Sequence, residues 1–399
     1  MVAGVLEEAA AISAEVAELR HAIHREPEIG LDLPATRRKV LAALDGLPLE
    51  VSCGTSLSSV TAVLRGARPG KTVLLRGDMD ALPVTERTGV PYASAVPGAM
   101  HACGHDLHTA MLAGAAKILA GHQAELAGNV VFMFQPGEEG LGGARLMIDE
   151  GVLDAAGERP VAAYALHVAS SVLPLGVGAS RAGTIMAASD TLLVTVRGRG
   201  GHGSQPHRAA DPIPAACEMV TALQTLVTRQ FDVFDPVVIT VGEFHAGTAS
   251  NVIPDEARFI ATVRTFSAQA HDRVKDAAPK LIRELASAHG LSAEAEYIDG
   301  YPVTVNDAAE LGQAEQTITE LFGEERFIAS PDPLTGSEDF SYVLQQVPGA
   351  FIMVGACTPG TDPETAAYNH SAEAVFDDAI VPDGTALYAA LALRRLAQD

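Results

Sequence analysis

The sequence predicts an α/β fold in two parts: a discontinuous domain built on a mostly parallel sheet, interrupted by a smaller ferredoxin-like α+β domain. Three observations predict it. Apolar runs bounded by turn residues, SSVTAVLRG, KTVLLRGDMDALP, GNVVFMFQPGEEG and PVAAYALHV, read as strands buried on both faces. A helical segment, DLHTAMLAGAAKILAGHQ, lies between them, and alternation of strand with helix gives an α/β layer architecture. From about Ala187 the rhythm becomes β-α-β-β-α-β, a split unit that closes on itself, and afterwards the first pattern returns. The expected domains are residues 1–186 with 300–399, and the insert 187–299.

Taken in order, VLEEAAAISAEVAELRHAIHREP is a helix of strong helix formers with an apolar stripe, stopped near Pro27, and LPATRRKVLAALDGL is a second, shorter helix. The four strand-like runs and their helix follow. In the insert, SDTLLVTVRGRG alternates as a strand and DPIPAACEMVTALQTLVTRQ is helical. PVVITVGEFHAG and DEARFIATVRTF are strands, HDRVKDAAPKLIRELASAHG is a helix and LSAEAEYIDG a closing strand. The returning part reads AELGQAEQTITELFG (helix), EDFSYVLQQVP (helix), GAFIMVGA (strand) and DDAIVPDGTALYAALALRRLAQ (helix). Ser337, in GSEDF, is a candidate N-cap whose neighbouring carboxylates complement the helix dipole.

Composition narrows the class. The chain has 399 residues, 48% hydrophobic, enough for a large core and more than one domain. A net charge of −23, with no Lys/Arg cluster, argues against nucleic acid as a partner. Four scattered cysteines fit a reducing compartment better than a disulfide framework. The first residues lack signal-peptide features and no apolar run approaches a membrane span, so the expected location is the cytoplasm, with no membrane partner.

The chemistry gathers at predicted strand ends. Asp78 and Asp80 close TVLLRGDMD, Glu138 and Glu139 follow NVVFMFQP, and His167 ends AYALH; Cys103 and His105 precede a helix, and His370 lies in a later loop. Ligands of open α/β sheets collect outside the carboxyl ends of strands. Taken singly, each residue has an ordinary reading, and 13 histidines leave room for coincidence. Cys103 alone reads as a small core hydrophobe. A Cys–His nucleophile is a third reading, but it leaves Glu139, His167 and His370 without work. Jointly, one thiolate, one carboxylate and three imidazoles suit Zn²⁺ or a similar divalent ion. Five ligands exceed a mononuclear catalytic site and fit a pair of ions, with Glu138 left as general base. His202, in the glycine-rich RGRGGHGSQPH, reads either as a flexible surface turn or as an oxyanion donor. Asn251 and Arg264 are weaker candidates for substrate polar groups.

The ordered set GDMDALPV, MHACGHDLHTAML, QPGEEGLGGARLMIDEG, ALHV, GRGGHGSQPH, SEDFSYV and NHSAEAVFDD, spread over nearly the whole chain, resembles the N-acyl-amino-acid amidohydrolases, the hippurate hydrolase, aminoacylase and auxin-conjugate hydrolase group of co-catalytic metallopeptidases. The resemblance implies a catalytic α/β domain with an inserted lid or dimerisation domain. It implies two divalent ions (Zn, Mn, Co or Ni) on Cys103, His105, Glu139, His167 and His370. It makes Glu138 the base for the attacking water and His202 the lid histidine, acting within its chain or on a neighbouring subunit. It suggests substrate contacts from Asn251 and Arg264 and a homodimer or higher oligomer. The wider clan usually has His-x-Asp where this chain has Asp78-Met79-Asp80, so Asp78 is not assigned as a ligand. The Asp80 carboxylate is expected to orient a metal-bound imidazole. The expected substrate is an N-acyl amino acid. The alternatives are a dipeptidase or aminopeptidase of the same clan, and a non-catalytic protein that binds acylated amino acids.

Overall fold

A computed structural model describes residues 2–398. Along the chain run α1 (Val2–Arg25), α2 (Pro34–Leu44), β1 (Leu49–Cys53), β2 (Val60–Arg65), β3 (Arg68–Asp78), α3 (His105–Gly121), β4 (Ala127–Gln135), α4 (Gly143–Asp149), β5 (Ala162–Ala169) and β6 (Gly178–Ser180). Then come β7 (Ala188–Arg197), α5 (Pro212–Gln230), β8 (Val237–Ala246), β9 (Glu256–Thr265), α6 (Ala268–Ala288) and β10 (Ser292–Tyr301). The chain closes with α7 (Ala308–Phe322), β11 (Phe327–Ala329), α8 (Ser341–Leu344), β12 (Gly349–Gly355) and α9 (Ile380–Leu396). It divides into two compact units: one holds the chain up to Ile185, Val305–Asp332 and everything from Asp339; the other holds Met186–Thr304 with Pro333–Glu338.

The first unit carries an eight-stranded sheet in the order β1-β2-β4-β3-β5-β12-β6-β11. Its four middle strands, β4, β3, β5 and β12, run parallel. Side chains alternate across the sheet, and one set, including Val73, Leu75, Phe132, Phe134, Tyr164, Leu166 and Ile352, joins a single core with α1, α3 and α9. β2 runs antiparallel to β4 and also pairs with β1, an exposed edge strand that the sequence reading did not contain. Its five residues, LEVSC, are too few and too mixed to show a period.

The expected helix in EDFSYVLQQVP shrinks to the four residues of α8, whose N-cap is Phe340 without a side-chain hydrogen bond. Ser337 is therefore not the cap. The Asp339 carboxylate does other work: it accepts hydrogen bonds from Arg76, Gln135 and the Ala144 N–H.

The second unit has a four-stranded antiparallel sheet, order β8-β9-β7-β10, with α5 and α6, the β-α-β-β-α-β arrangement. β7 buries every second residue, and Leu192, Val194 and Val196 pack with Met219 and Leu223 of α5 and Val274 and Ile282 of α6. Asp211 caps α5 and Ser267 caps α6 through side-chain bonds to Ile213 N and Ala270 N. Among the described residues no helix is long and apolar enough to cross a membrane.

Candidate metal centre and catalytic carboxylate

Four strand ends supply the site. β3 ends in Asp78 and continues into Asp80, β4 leads through Pro136 and Gly137 to Glu138 and Glu139, β5 carries His167, and the loop after β12 carries His370. Cys103 and His105 flank Gly104, which adopts φ +84 as α3 begins. A Cβ there would lie 2.3 Å from Val168 Cγ2, so this turn admits only glycine while two candidate ligands stand on either side of it.

The structure brings all five candidate ligands together. His370 Nε2 is 3.3 Å from Cys103 Sγ and 3.3 Å from Glu139 Oε1. His167 Nε2 is 3.5 Å from the same sulfur, and His105 Nε2 is 3.9 Å from Glu139 Oε1. Three triads, Cys103/His105/His167, Cys103/Glu139/His370 and His105/Glu138/Glu139, each keep their donor atoms within 4.8 Å of one another. Cys103 belongs to two of them.

The imidazoles are oriented by their other nitrogens. His105 Nδ1 donates to the Asp80 carbonyl at 2.8 Å and His167 Nδ1 to the Val168 carbonyl at 3.0 Å, which aims each Nε2 into the cluster. His105 Nε2 is fully buried there without a hydrogen-bond partner, 3.5 Å from the Asp78 carboxylate, and Asp78 and Cys103 outweigh burial to hold the ring's pKa well above its usual value, so the position calls for positive charge, a proton or a metal ion, at that nitrogen. Contacts with Cys103 and Glu139 outweigh burial and push His370 up to about 10. Burial holds His167 well below its usual value, as a neutral ring. Burial opposes ionisation of Glu139, but hydrogen bonding to His370 and the His105 charge hold its pKa down.

Asp80 works differently from the expectation. Its carboxylate is 3.5 Å from His105 Nδ1, farther than its main-chain carbonyl, and instead accepts the N–H groups of Glu138 and Glu139 at 3.0 Å each. One carboxylate thus fixes the turn that presents both glutamates. Glu138 is buried, at 7% exposure, beside Glu139.

Two features escaped the sequence reading. His108, one turn after His105 on α3, accepts the Val168 N–H on Nε2 at 2.8 Å, so its Nδ1 carries the proton donated to Asp78 at 2.5 Å. Its i, i+3 spacing from His105 in HDLH was the available signal. Asp78 is also held by Arg76 at 2.6 Å, and this guanidinium, with both histidines, overcomes burial to keep its pKa well below the usual range.

The second missed feature is a buried charge chain behind α3. Asp106 meets Arg20 Nε at 2.9 Å and His24 Nδ1 at 2.8 Å, and His24 Nε2 is 3.2 Å from Glu86. Burial works against a charged His24, but Asp106 and Glu86 outweigh it and push the imidazole up to about 9. A histidine with a raised folded pKa stabilises fully below its unfolded value and loses that contribution as pH rises through the folded one. The metal-free protein is therefore expected to lose up to roughly 3 kcal/mol from this group between about pH 6.5 and 9.5. Urea unfolding of wild type and His24→Gln across that range checks it; equal slopes for both proteins would refute it.

The other candidates lie in the second unit. His202 is exposed, in a two-residue strand, Gly201–His202, paired with Val252–Ile253. Its Nδ1 accepts from Ser204 Oγ at 2.8 Å. Asn251 stands beside it, its carbonyl accepting the Gly203 N–H at 2.8 Å, next to a cavity of about 550 Å³ lined by Gly203, Pro206, Thr248 and Ser250. Arg264 is not with them. It pairs with Ser189 at the other end of β7 and gives its guanidinium to Ser189 Oγ and Thr262 Oγ1.

Residues 74–394 match the model of peptidase family M20/M25/M40. The chain is 35% identical over 384 residues to thermostable carboxypeptidase 2 of Saccharolobus solfataricus, covering 95% of each chain. It is 35% identical over 388 residues to the hippurate hydrolase of Campylobacter jejuni, covering 96% of this chain and 97% of that one. A solved structure, a Bacillus subtilis dinuclear metal-binding peptidase of the M20 family, superposes with a TM-score of 0.84 at 30% identity, covering 98% of this chain and 100% of the other. By fold, by the residues matched and by these relatives, the chain belongs to peptidase family M20/M25/M40.

Proposed function

We propose that the chain is a metal-dependent amidohydrolase that splits N-acyl amino acids into a carboxylic acid and a free amino acid. The observation that carries this reading is the convergence of Cys103, His105, Glu139, His167 and His370 with Glu138 placed beside them. The donor set and the buried His105 Nε2 fit a pair of divalent cations, which Cys103, His105, Glu139, His167 and His370 would hold. Such ions supply Lewis-acid polarisation of the acyl carbonyl and acidify water at neutral pH.

The chain's own groups do the rest. Glu138, held through its N–H by Asp80, takes a proton from the attacking water and returns it to the leaving nitrogen. His202 donates to the oxyanion that develops on the carbonyl oxygen, Asn251 beside it is assigned a polar group of the substrate, and Arg264, at the other end of β7, is assigned a separate one. We assign the second unit to a lid and dimerisation role in a cytoplasmic homodimer. Thiolate ligation favours zinc, with manganese, cobalt and nickel as alternatives.

The carboxypeptidase relative supports a second reading, cleavage of peptides. Amine release from N-acetyl, N-benzoyl and N-indoleacetyl amino acids and from plain dipeptides separates the two. Cleavage of the acylated substrates is expected, and cleavage of dipeptides alone would move the activity to a peptidase. Replacing Cys103 with Ser removes the soft donor shared by two triads, and a loss of about 10-fold or more in metal affinity is expected, read by competition with a chelator. Retained affinity with lost activity would instead favour a nucleophilic role for the thiol.

A further inference from the structure

His370 has φ +72, one of two described non-glycine residues with positive φ. That conformation is uncommon outside glycine, and something must hold it. Part of the answer is the His370 N–H, which donates to the Ala102 carbonyl at 2.7 Å. The rest comes from the preceding side chain.

The Asn369 amide touches the segments that carry Cys103 and His167, and its own loop carries His370. Its Nδ2 donates to the Val168 carbonyl at 2.9 Å, directly after His167, and to the Cys103 carbonyl at 3.4 Å. The same nitrogen lies 3.9 Å from Cys103 Sγ. On its other side Oδ1 accepts the Ser170 N–H at 3.0 Å, and Ser170 Oγ, also 3.0 Å away, bridges to the Ala367 carbonyl at 2.8 Å. The surroundings leave one orientation: carbonyl oxygens can only accept, so Nδ2 must face them, and the Ser170 N–H can only donate, so Oδ1 must face it. One N–H of the amide is thereby spent on Val168, and the second is directed at Cys103.

We infer that Asn369 is the positioning residue of the Cys103 thiolate: it locks the loops of Cys103 and His370 to the end of β5 and places an N–H against the sulfur. This rests on the reading of Cys103 as a metal ligand. Donors that hydrogen-bond to a thiolate draw charge from it and so set how strongly it binds a metal, a tuning effect known for groups around metal ligands. Asn369 combines that tuning with geometry, because the amide that meets Sγ also ties the loop carrying His370 to the end of β5.

The test uses the full-length protein loaded with Co²⁺, whose thiolate complexes absorb in the near ultraviolet through sulfur-to-cobalt charge transfer. Wild type should show the band. Asn369→Ala should shift its energy and weaken Co²⁺ retention by about 10–100-fold. Asn369→Asp, which keeps the acceptor for Ser170 but places a carboxylate oxygen against the sulfur, should shift the band and weaken retention at least as much. Ser170→Ala, which leaves the N–H on Cys103, should keep the wild-type band. A purely structural Asn369 would lower occupancy without moving the band energy.

Unchanged band energy in Asn369→Ala overturns the inference, and if that variant does not fold, the near-isosteric Asn369→Asp decides on the same criterion. Absence of the band in wild type would overturn thiolate ligation itself, a different failure from the first.

Discussion

Replacing Glu138 with Gln is expected to lower kcat on N-benzoylglycine by about 10²–10⁴-fold while leaving metal content at the wild-type level. Glutamine has nearly the same shape, and the Glu138 N–H bond to Asp80 is a main-chain contact that survives the change. Glu139 keeps its own N–H bond to Asp80 and its approach to His370. What disappears is a group that can take a proton from water and deliver it to nitrogen. An effect confined to kcat marks a loss in the transition state, whereas a change confined to KM would mark lost substrate binding. Turnover near wild type in Glu138→Gln would remove Glu138 from the mechanism.

The largest stability effect is expected at Arg76. This side chain is fully buried in β3, with Nη1 2.6 Å from Asp78, Nη2 3.0 Å from Asp339 and Nε 2.8 Å from Gln135. Gln135 in turn donates to Asp339 at 2.8 Å, and the Tyr388 hydroxyl donates to the Arg76 carbonyl at 2.6 Å. Asp78 and Asp339 are themselves fully buried, so removing the cation strands two carboxylates in a medium that solvates them poorly. Breaking such a pair costs about 3–5 kcal/mol, far more than an exposed pair would. Arg76→Met should therefore unfold at markedly lower urea, and metal affinity should fall with it, since Asp78 also holds His108 and lies 3.5 Å from His105 Nε2. Adding Asp339→Asn should recover part of the loss, because it removes one stranded charge. Wild-type stability in Arg76→Met would mean that the buried network is not what holds this strand end.

What the sequence shows of this arrangement follows from what each signal depends on. β3, β4, β5 and β12 are legible because strands buried on both faces read as continuous apolar runs, and α3 and α9 because long helices repeat their pattern over several turns. Strand direction is not carried by composition, so SSVTAVLRG reads as a strand without revealing that β2 runs antiparallel to β4. β1 and β11 are too short to show a period.

At the site, the candidate ligands are legible because their residue types are unusual and sit at strand ends. The groups that hold them are not. Asp339 meets Arg76 across 263 positions, and Asn369 reaches Cys103 across 266, distances at which no local pattern exists. Asp80 is visible as an acidic residue at a strand end, but whether its carboxylate or its carbonyl meets His105 depends on the turn after β4, which only the folded chain specifies.

The most direct test is a metal titration of the stripped protein. The rate of N-benzoylglycine hydrolysis is followed as Zn²⁺ or Mn²⁺ is added to protein whose metal content has been reduced to background by chelation. A baseline without activity is expected, rising to a plateau as about two ions bind per chain. Full hydrolysis by the stripped protein, or no hydrolysis with both ions bound, would contradict the proposed function.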